Sequence, residues 1–424
     1  MLRVLTTSWA LLLGVMLLMI GNGMQGTLLG VRGGIEGFST GAMSVVMAGY
    51  FAGFLLGSQT VPELIRRVGH VRVFAALGSL ASAGLILYPV LTTPWAWAVL
   101  RLLLGFCFCG VYIVAESWLN NTTTNETRGR ALSLYLIAQS LGIVAAQGIF
   151  ALGDASSFVL FAIVSVLVSL AFAPMLLSAT PVPPFESTKP MSFRQVYRVS
   201  PLGFVGIFLL GGVFASLFGM AGVFGSLAGL RPSEIALFVT AVYLGGLVLQ
   251  YPIGWASDRL DRRRMVIAAA LVGVGACVLG ATGAFGLGGL LVAAFVIGGV
   301  ANPLYGMLLA YTNDFLEPAD MASASAQLLF VNGLGAIGGP LISGWLMELL
   351  GPSGFFVLIA LLLAALAGYG AWRILRRPAP VIVDEAAAFV PVGTAATPVT
   401  MVAIAETQAE IAGADPAPPA RDAA

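Results

Sequence analysis

Arg101 and Glu116 stand out as residues able to do chemistry, because they are the only Asp, Glu, Lys or Arg in the apolar run from Trp95 to Leu119. At 100° per residue, Arg101, Phe108, Tyr112 and Glu116 fall within about 80° of one another, so one helical face would carry them all. A charge inside a membrane span is costly and tends to face a water-filled interior, which favours a functional role for both. The simpler account is snorkelling, since Arg101 lies about 9 Å from one end of its run and Glu116 about 5 Å from the other. The two are about 22 Å apart along the axis, too far to pair, and would serve different faces of a membrane. Glu116, a carboxyl able to take up and release a proton, is the first candidate for proton coupling, and Arg101 the second.

Uncharged polar residues interrupt other apolar runs: Asn22 and Gln25, Gln139, Tyr243 and Gln250, Asn302 and Tyr305, and Asn332. A buried amide must find a partner, either a ligand or a neighbouring helix. Helix-to-helix bonding explains any one of them. Together with Arg101, Tyr112 and Glu116 they suggest a mostly uncharged binding site. Phe214 and Phe218 read as packing rather than as an aromatic clamp. GNGMQG, Gly21 to Gly26, spells a dinucleotide-binding pattern but lies inside an apolar run with no preceding strand, so no cofactor is expected from it. Cys107 and Cys109 diverge by about 200° on a helix and no His accompanies them, so no metal site is expected.

The elements that must hold these residues follow from composition. With 59% hydrophobic and 9% charged residues, the chain cannot build the polar shell of a soluble protein and must present its outer surface to lipid. No basic patch interleaved with aromatics suggests nucleic acid as a partner. Apolar runs of roughly 20 residues cross a bilayer core as helices. Twelve such runs can be placed: Ser8–Gly30, Ala42–Leu64, Val73–Leu91, Trp95–Leu119, Ala131–Leu152 and Phe158–Leu177, then Leu202–Ala228, Ile235–Ala256, Met265–Phe285, Leu287–Tyr311, Met321–Leu350 and Phe355–Trp372. If both termini are cytoplasmic, the 20 Lys and Arg residues gather inside, with only Arg32 and Arg231 outside and Arg101 within a span. A proline-rich polar stretch separates residues 1–178 from 201–377, so 179–200 is expected to be a cytoplasmic linker between two six-helix bundles. Residues 378–424 turn to Ala, Pro, Val and Thr with scattered acids and are expected to be a disordered cytoplasmic tail.

The two halves resemble each other. A shift of about 192 residues lays Gly53 on Gly245 and Arg67 on Arg259, and one residue more lays Tyr112 on Tyr305 and Gln139 on Asn332. Two six-helix repeats about an axis along the membrane normal, with a site between them, are one transporter architecture. Gly49, Gly53 and Gly57 recur at the small-residue spacing of close helix contact.

GWASDRLDRRR, Gly254 to Arg264, resembles the signature of the major facilitator superfamily between spans 8 and 9, with Asp261 where a second glycine is usual. The first-half copy has Pro62 and Arg66 in place of its glycine and aspartate, and keeps Arg67, Gly69 and Arg72. RLLLG, Arg101 to Gly105, resembles the family's span 4 motif, with Leu104 in place of a glutamine. GAIGGPLISG, Gly335 to Gly344, resembles the span 11 glycine-proline motif, whose span 5 counterpart at Gly142 to Gln147 lacks the proline, which argues against a drug antiporter. VYIVAESWL followed by RGRALSLYL is similar to a bacterial branch, the YcaD-like permeases.

The resemblance implies an all-α membrane protein of the major facilitator fold, whose span 4 lines a central cavity. It also implies a gate in which the loop between spans 8 and 9 meets the start of span 5, and the loop between spans 2 and 3 meets the start of span 11. Asp258, in the gate motif with Gly254 and Arg259, would then face Arg128 and Arg130, and Arg66 and Arg67 would face Asp314, Glu317 and Asp320, latching the outward-open state. The alternative is that these charges act only as topology signals. The expected function is a secondary transporter of the bacterial inner membrane, monomeric, moving a small uncharged or weakly polar solute by alternating access with proton coupling. Alternatives are an exporter or scramblase of lipids or drug-like amphiphiles, or a membrane scaffold. An enzyme would need a cluster of His, Asp or Cys near an interface, and none appears in the sequence.

Overall fold

The computed structural model describes residues 2–121, 125–177, 191–283, 285–376, 387–393 and 396–411. In hydrocarbon each backbone N–H and C=O must be satisfied within its own segment, so long apolar runs become helices. Among the described residues, 12 helices are long and apolar enough to cross a membrane, and each apolar run of the sequence falls on one of them.

The first half comprises α1 (Leu2–Ile35), α2 (Thr40–Val68), α3 (His70–Leu87), α4 (Pro94–Asn121), α5 (Asn125–Leu152) and α6 (Val159–Leu177). A short helix, α7 (Phe193–Val199), leads into the second half. There the first span is composite, with α8 (Pro201–Phe214), a π-turn over Ala215–Gly219 and α9 (Ala221–Leu227). The remaining spans are α10 (Pro232–Ser257), α11 (Arg262–Thr282), α12 (Gly286–Asn313), α13 (Pro318–Leu350) and α14 (Ser353–Arg376), and α15 (Pro398–Ile411) comes last. Local signals end the elements. The Ser39 hydroxyl caps α2 by accepting from the Ala42 N–H, and the chain turns into α3 at Gly69, whose φ of 89° suits a residue without a Cβ.

The internal repeat is visible as close backbone contacts. Between α2 and α4, Gly53 lies against the Leu102 carbonyl and Gly105 against that of Tyr50. Between α10 and α12, Gly245 lies against the Phe295 carbonyl and Gly298 against that of Val242, the same contacts one repeat later. A third pair follows the rule: Gly142 faces the Met16 carbonyl of α1, and Gly335 the Phe208 carbonyl of α8. Helices in lipid gain from van der Waals contact and not from hydrophobic exclusion of water, so small residues mark where they approach. Gly53→Ala or Gly245→Ala is therefore expected to lower stability by about 1–3 kcal/mol through overpacking against a rigid carbonyl. Gly275→Ala and Gly368→Ala, where a Cβ meets nothing within 4 Å, serve as controls. Thermal unfolding in detergent reads the difference, and an unchanged midpoint for Gly53→Ala would refute the close-approach account.

The clustered arginines lie at one end of the bundle, where α2, α10 and α14 finish and α3, α5 and α11 begin. At the opposite end the halves pack directly. Gly30 and Gly34 of α1 lie against Gly222 and Ser226 of α9, and Gly344 of α13 lies against Ser44 of α2. There the Gly41 N–H donates to Glu348 at 2.7 Å.

Two segments depart from the sequence expectation. Within the stretch read as a linker, α7 forms with a capping box between Ser192 and Gln195, an S-x-x-Q signal at the helix start. Within the stretch read as a disordered tail, residues 387–393 and α15 are folded against the arginine-rich end. Met401, Ile404 and Gln408 of α15 are fully buried, and α15 packs on α13, α4 and α5. The tail has too few apolar residues to fold by itself, but other helices supply the surface that covers them.

Candidate functional site

A central cavity lies between the halves. The first half contributes Asn22 of α1, Tyr50, Phe51 and Phe54 of α2, and Arg101 of α4. The second contributes Phe214 and Phe218 around the π-turn, Tyr243 of α10, Tyr305 of α12 and Asn332 of α13. A π-turn widens a helix locally and often accompanies a functional site. Here it carries Phe218 towards Tyr243, with ring centroids 4.8 Å apart. Phe214 packs on Tyr305 at 6.1 Å. These two phenylalanines, read from the sequence as packing, form cavity wall as well.

Arg101 is 3% exposed, so its guanidinium does not snorkel to the surface. It donates to the Gln25 side-chain carbonyl and lies 4.7 Å from the centroid of the Tyr50 ring. Its Nη2 reaches the Met47 Sδ at 3.5 Å, and its Nε finds no acceptor among the described residues. Gln25 is thus a holder of Arg101 behind the wall. Asn22 interacts with the hydroxyls of both Tyr50 and Tyr112. Tyr112 itself is buried behind the cavity wall, its hydroxyl 3.6 Å from the Sδ of Met19, a wall residue. Only the Arg101 end of the polar stripe on α4 therefore opens on the central space.

Gln139, Gln250 and Asn302 line an adjoining space between α5 and α10, together with Tyr243, Phe389, Val392 and Gly393. Tyr243, Val392 and Gly393 border both spaces. Asn332 donates to the Ile207 carbonyl at 3.1 Å, which ties α13 to α8. The Asn302 Oδ1, Tyr305 hydroxyl and Gln25 Nε2 have no partner among the described residues. Buried polar groups are normally satisfied, so the Asn302 Oδ1 and the Tyr305 hydroxyl, on the walls of these spaces, are positioned to meet a polar solute or water.

Glu116 sits apart, at the junction of α4, α5 and the tail, and is 4% exposed. Tyr135 donates to its Oε1 at 3.0 Å. Its Oε2 accepts from the Thr397 hydroxyl and from the Thr400 N–H at 3.3 Å. Three donors converge on one carboxyl.

Several charged residues of the expected gate find partners within their own half. Asp258 accepts from Arg262 at 3.0 Å and from the Phe389 N–H at 3.0 Å. Arg262 donates to Asp314 at 2.7 Å and to the Ala387 carbonyl, while the Ala387 N–H donates to Asp314 at 2.8 Å. Burial pushes the Asp314 carboxyl above its ordinary pKa, against the pull of Arg262. Arg66 and Arg67 both pair with Glu63 on their own helix, and Arg259 stacks over Trp255 at 4.2 Å. Arg130 is exposed. Glu317 is the residue before α13, and Asp320 lies in that helix's first turn. Among the described residues no ion pair joins these clusters across the halves; the Arg128 side chain lies outside the described residues.

Sequence reasoning missed Arg262, although it stands only four residues after Asp258 and pairs with it across the short turn from α10 into α11. It also missed Tyr50, Phe51 and Phe54, whose clustering on one span was the available signal, and the tail residues Val392, Gly393 and Ala396, which line the central cavity.

The model of the Major Facilitator Superfamily matches residues 11–236 and 228–405. The chain is 27% identical over 368 residues to the uncharacterized MFS-type transporter YfkF of Bacillus subtilis (strain 168), covering 83% of this chain and 92% of that one. It is 24% identical over 352 residues to the uncharacterized MFS-type transporter YcaD of Shigella flexneri, covering 82% and 91%. Among solved structures, it resembles the nucleoside transporter NupG with a TM-score of 0.70 and 16% identity over 87% of this chain and 99% of that one. It also resembles a bacterial homolog of the human lysosomal transporter Spinster, in an inward-facing and occupied conformation, with a TM-score of 0.65 and 15% identity over 96% and 97%.

Proposed function

This chain belongs to the Major Facilitator Superfamily and is a secondary transporter, and from that premise we propose that it moves a small, uncharged or weakly polar solute by alternating access coupled to protons. The observation that carries this reading is a central cavity whose wall is shared by facing helices of two packed repeats. A solute held there touches both halves, so a rocking motion of one against the other passes it from side to side. The aromatic rings of α2, the π-turn and α10 suit an apolar or flat body. Asn22, Tyr305 and Asn332 suit its hydrogen-bonding groups.

In this reading the protein works as a monomer in the bacterial inner membrane, with the arginine-rich end in the cytoplasm, as the positive-inside rule requires. The direct packing of α1 on α9 and of α2 on α13 then makes the present arrangement the one closed towards the outside. In the opposite state those contacts part and the arginine-rich end closes. Asp258 then meets Arg128 and Arg130, and Arg66 and Arg67 meet Asp314, Glu317 and Asp320. Glu116 carries the proton.

The test is to compare intracellular and medium metabolites in cells lacking and cells overproducing the protein, and to assay the compounds that differ in proteoliposomes. The expected result is a solute that shifts in opposite directions in the two strains and is taken up by the purified protein. Tyr305→Phe or Asn332→Leu should then weaken its uptake by roughly 5-fold or more, the worth of one hydrogen bond. If no solute is moved by proteoliposomes across such a panel, the reading fails.

A further inference from the structure

We infer that residues 387–393 and α15 are a built-in plug, a segment of the chain that fills the space between the halves at the arginine-rich end and must leave before the central cavity can open there. The inference rests on the transport reading above and adds a regulator to the same site.

The segment is bound by specific groups and not merely laid on the surface. The backbone of Ala387 is held from both sides, its N–H by Asp314 and its carbonyl by Arg262, and the Phe389 N–H is held by Asp258. The Phe389 ring seats over Gly254 and Gly306, where an added Cβ would run into it. The glycine that the family signature places at the end of α10 therefore forms the floor of an aromatic socket. Further along, Val392, Gly393 and Ala396 close the central cavity on that side. Thr397 and Thr400 then bind Glu116. Gln408 completes the seat, accepting from Asn313 at 2.6 Å and donating to the Ala388 carbonyl at 2.8 Å.

Two consequences follow from where these contacts fall. First, α15 packs on α13 of the second half and on α4 and α5 of the first, so it is a wedge between bodies that must approach each other when this end closes. Second, the side chains it engages, Asp258 and Asp314, are those proposed to latch the closed state. While the tail is docked they are occupied by tail backbone. The tail thus opposes both steps of a transport cycle at this end: release of solute from the present state, and closure to the opposite one. Transport requires a population of molecules with the tail undocked, and anything that binds the free tail raises that population.

The test uses the full chain in inside-out vesicles, with Leu329→Cys on the cavity wall as reporter and an impermeant maleimide added outside. The three native cysteines are buried, and the parent chain without the reporter sets the background. Replacing the fully buried Met401 and Ile404 by glutamate (Met401→Glu with Ile404→Glu) should expel α15 and speed labelling of Leu329→Cys by 10-fold or more. Because buried glutamates can also loosen the fold, a second measurement keeps the tail in place. A Cβ at Gly129 lies 3.9 Å from the Thr407 Cγ2, so Gly129→Cys with Thr407→Cys should form a disulfide under mild oxidation, seen as a linked peptide pair by mass spectrometry. Faster labelling together with the cross-link supports the plug. Absence of the cross-link overturns the docked position, and equal labelling rates overturn the plug even if the cross-link forms. If Leu329→Cys is unreactive from either side in every variant, the cavity is not a transport path, and the transport reading falls with the plug.

Discussion

Glu116→Gln is expected to bring pH-gradient-driven accumulation of the transported solute down to the level of empty liposomes, while downhill exchange of the same solute continues. Glutamine keeps the shape of the site. Its carbonyl can accept from Thr397 and the Thr400 N–H, and its amide can donate to the Tyr135 hydroxyl, so the contacts that hold Glu116 survive. What it lacks is a proton to exchange. The expected split, with uphill flux lost and exchange kept, separates a coupling role from a structural one, because a damaged fold would lose both. Undiminished accumulation across a pH gradient would remove Glu116 from the proton path. The docked tail supplies two of the three hydrogen bonds that Glu116 accepts, so this residue changes partners whenever the tail leaves.

Arg262→Ala is expected to cost about 3–5 kcal/mol of stability, the usual effect of removing one partner from a buried ion pair. Arg262 and Asp314 are each only 8% exposed, so alanine leaves a carboxylate with little access to water and no counter-ion. Asp258 and the Ala387 carbonyl lose a donor in the same step. Thermal unfolding in detergent measures the loss, and Asp314→Asn in the same chain should restore part of it by removing the uncompensated charge. A loss below about 1 kcal/mol would mean that the pair behaves as a solvated surface bridge. Since Arg262 also anchors the tail, the variant should speed labelling of Leu329→Cys, linking the stability of the network to the state of the plug.

Some of this site was legible from one side chain and its neighbours, and some was not. Arg101 was found as a charge in an apolar run, and lipid leaves few other ways to read such a charge. Its setting, with Gln25 and Tyr50, depends on how α1, α2 and α4 are rotated about their axes, which spacing along a single helix does not specify. For the same reason Asn22, Tyr243, Tyr305 and Asn332 reach the central cavity while Tyr112 turns to Met19. The gate charges were read as partners across the halves, but Asp258 with Arg262 across the turn from α10 into α11, and Glu63 with Arg66 and Arg67 on α2, satisfy one another within their own half. Local pairing carries no loop-closure cost and prevails while the halves stand apart at that end. The tail had a helix signal in Thr397 followed by Pro398, a capping residue before a proline at the first helical position, with Met401 and Ile404 on one face beyond it. Average composition masked that signal, because Ala, Pro and Thr outweigh a few apolar residues.

The sequence by itself determined the number and order of the spans, the gathering of arginines at one end, and the glycines at which helices approach. Each follows from a constraint that acts residue by residue: apolar length against bilayer thickness, charge against translocation, Cβ volume against a facing carbonyl. Only the tertiary structure decided which polar residues share a cavity, which partner each charge takes, and that the last helix lies between the halves. Those outcomes depend on surfaces contributed by segments far apart in the chain. The apolar face of α15 is too small to order itself and becomes a folded element only where α4, α5 and α13 together bury it.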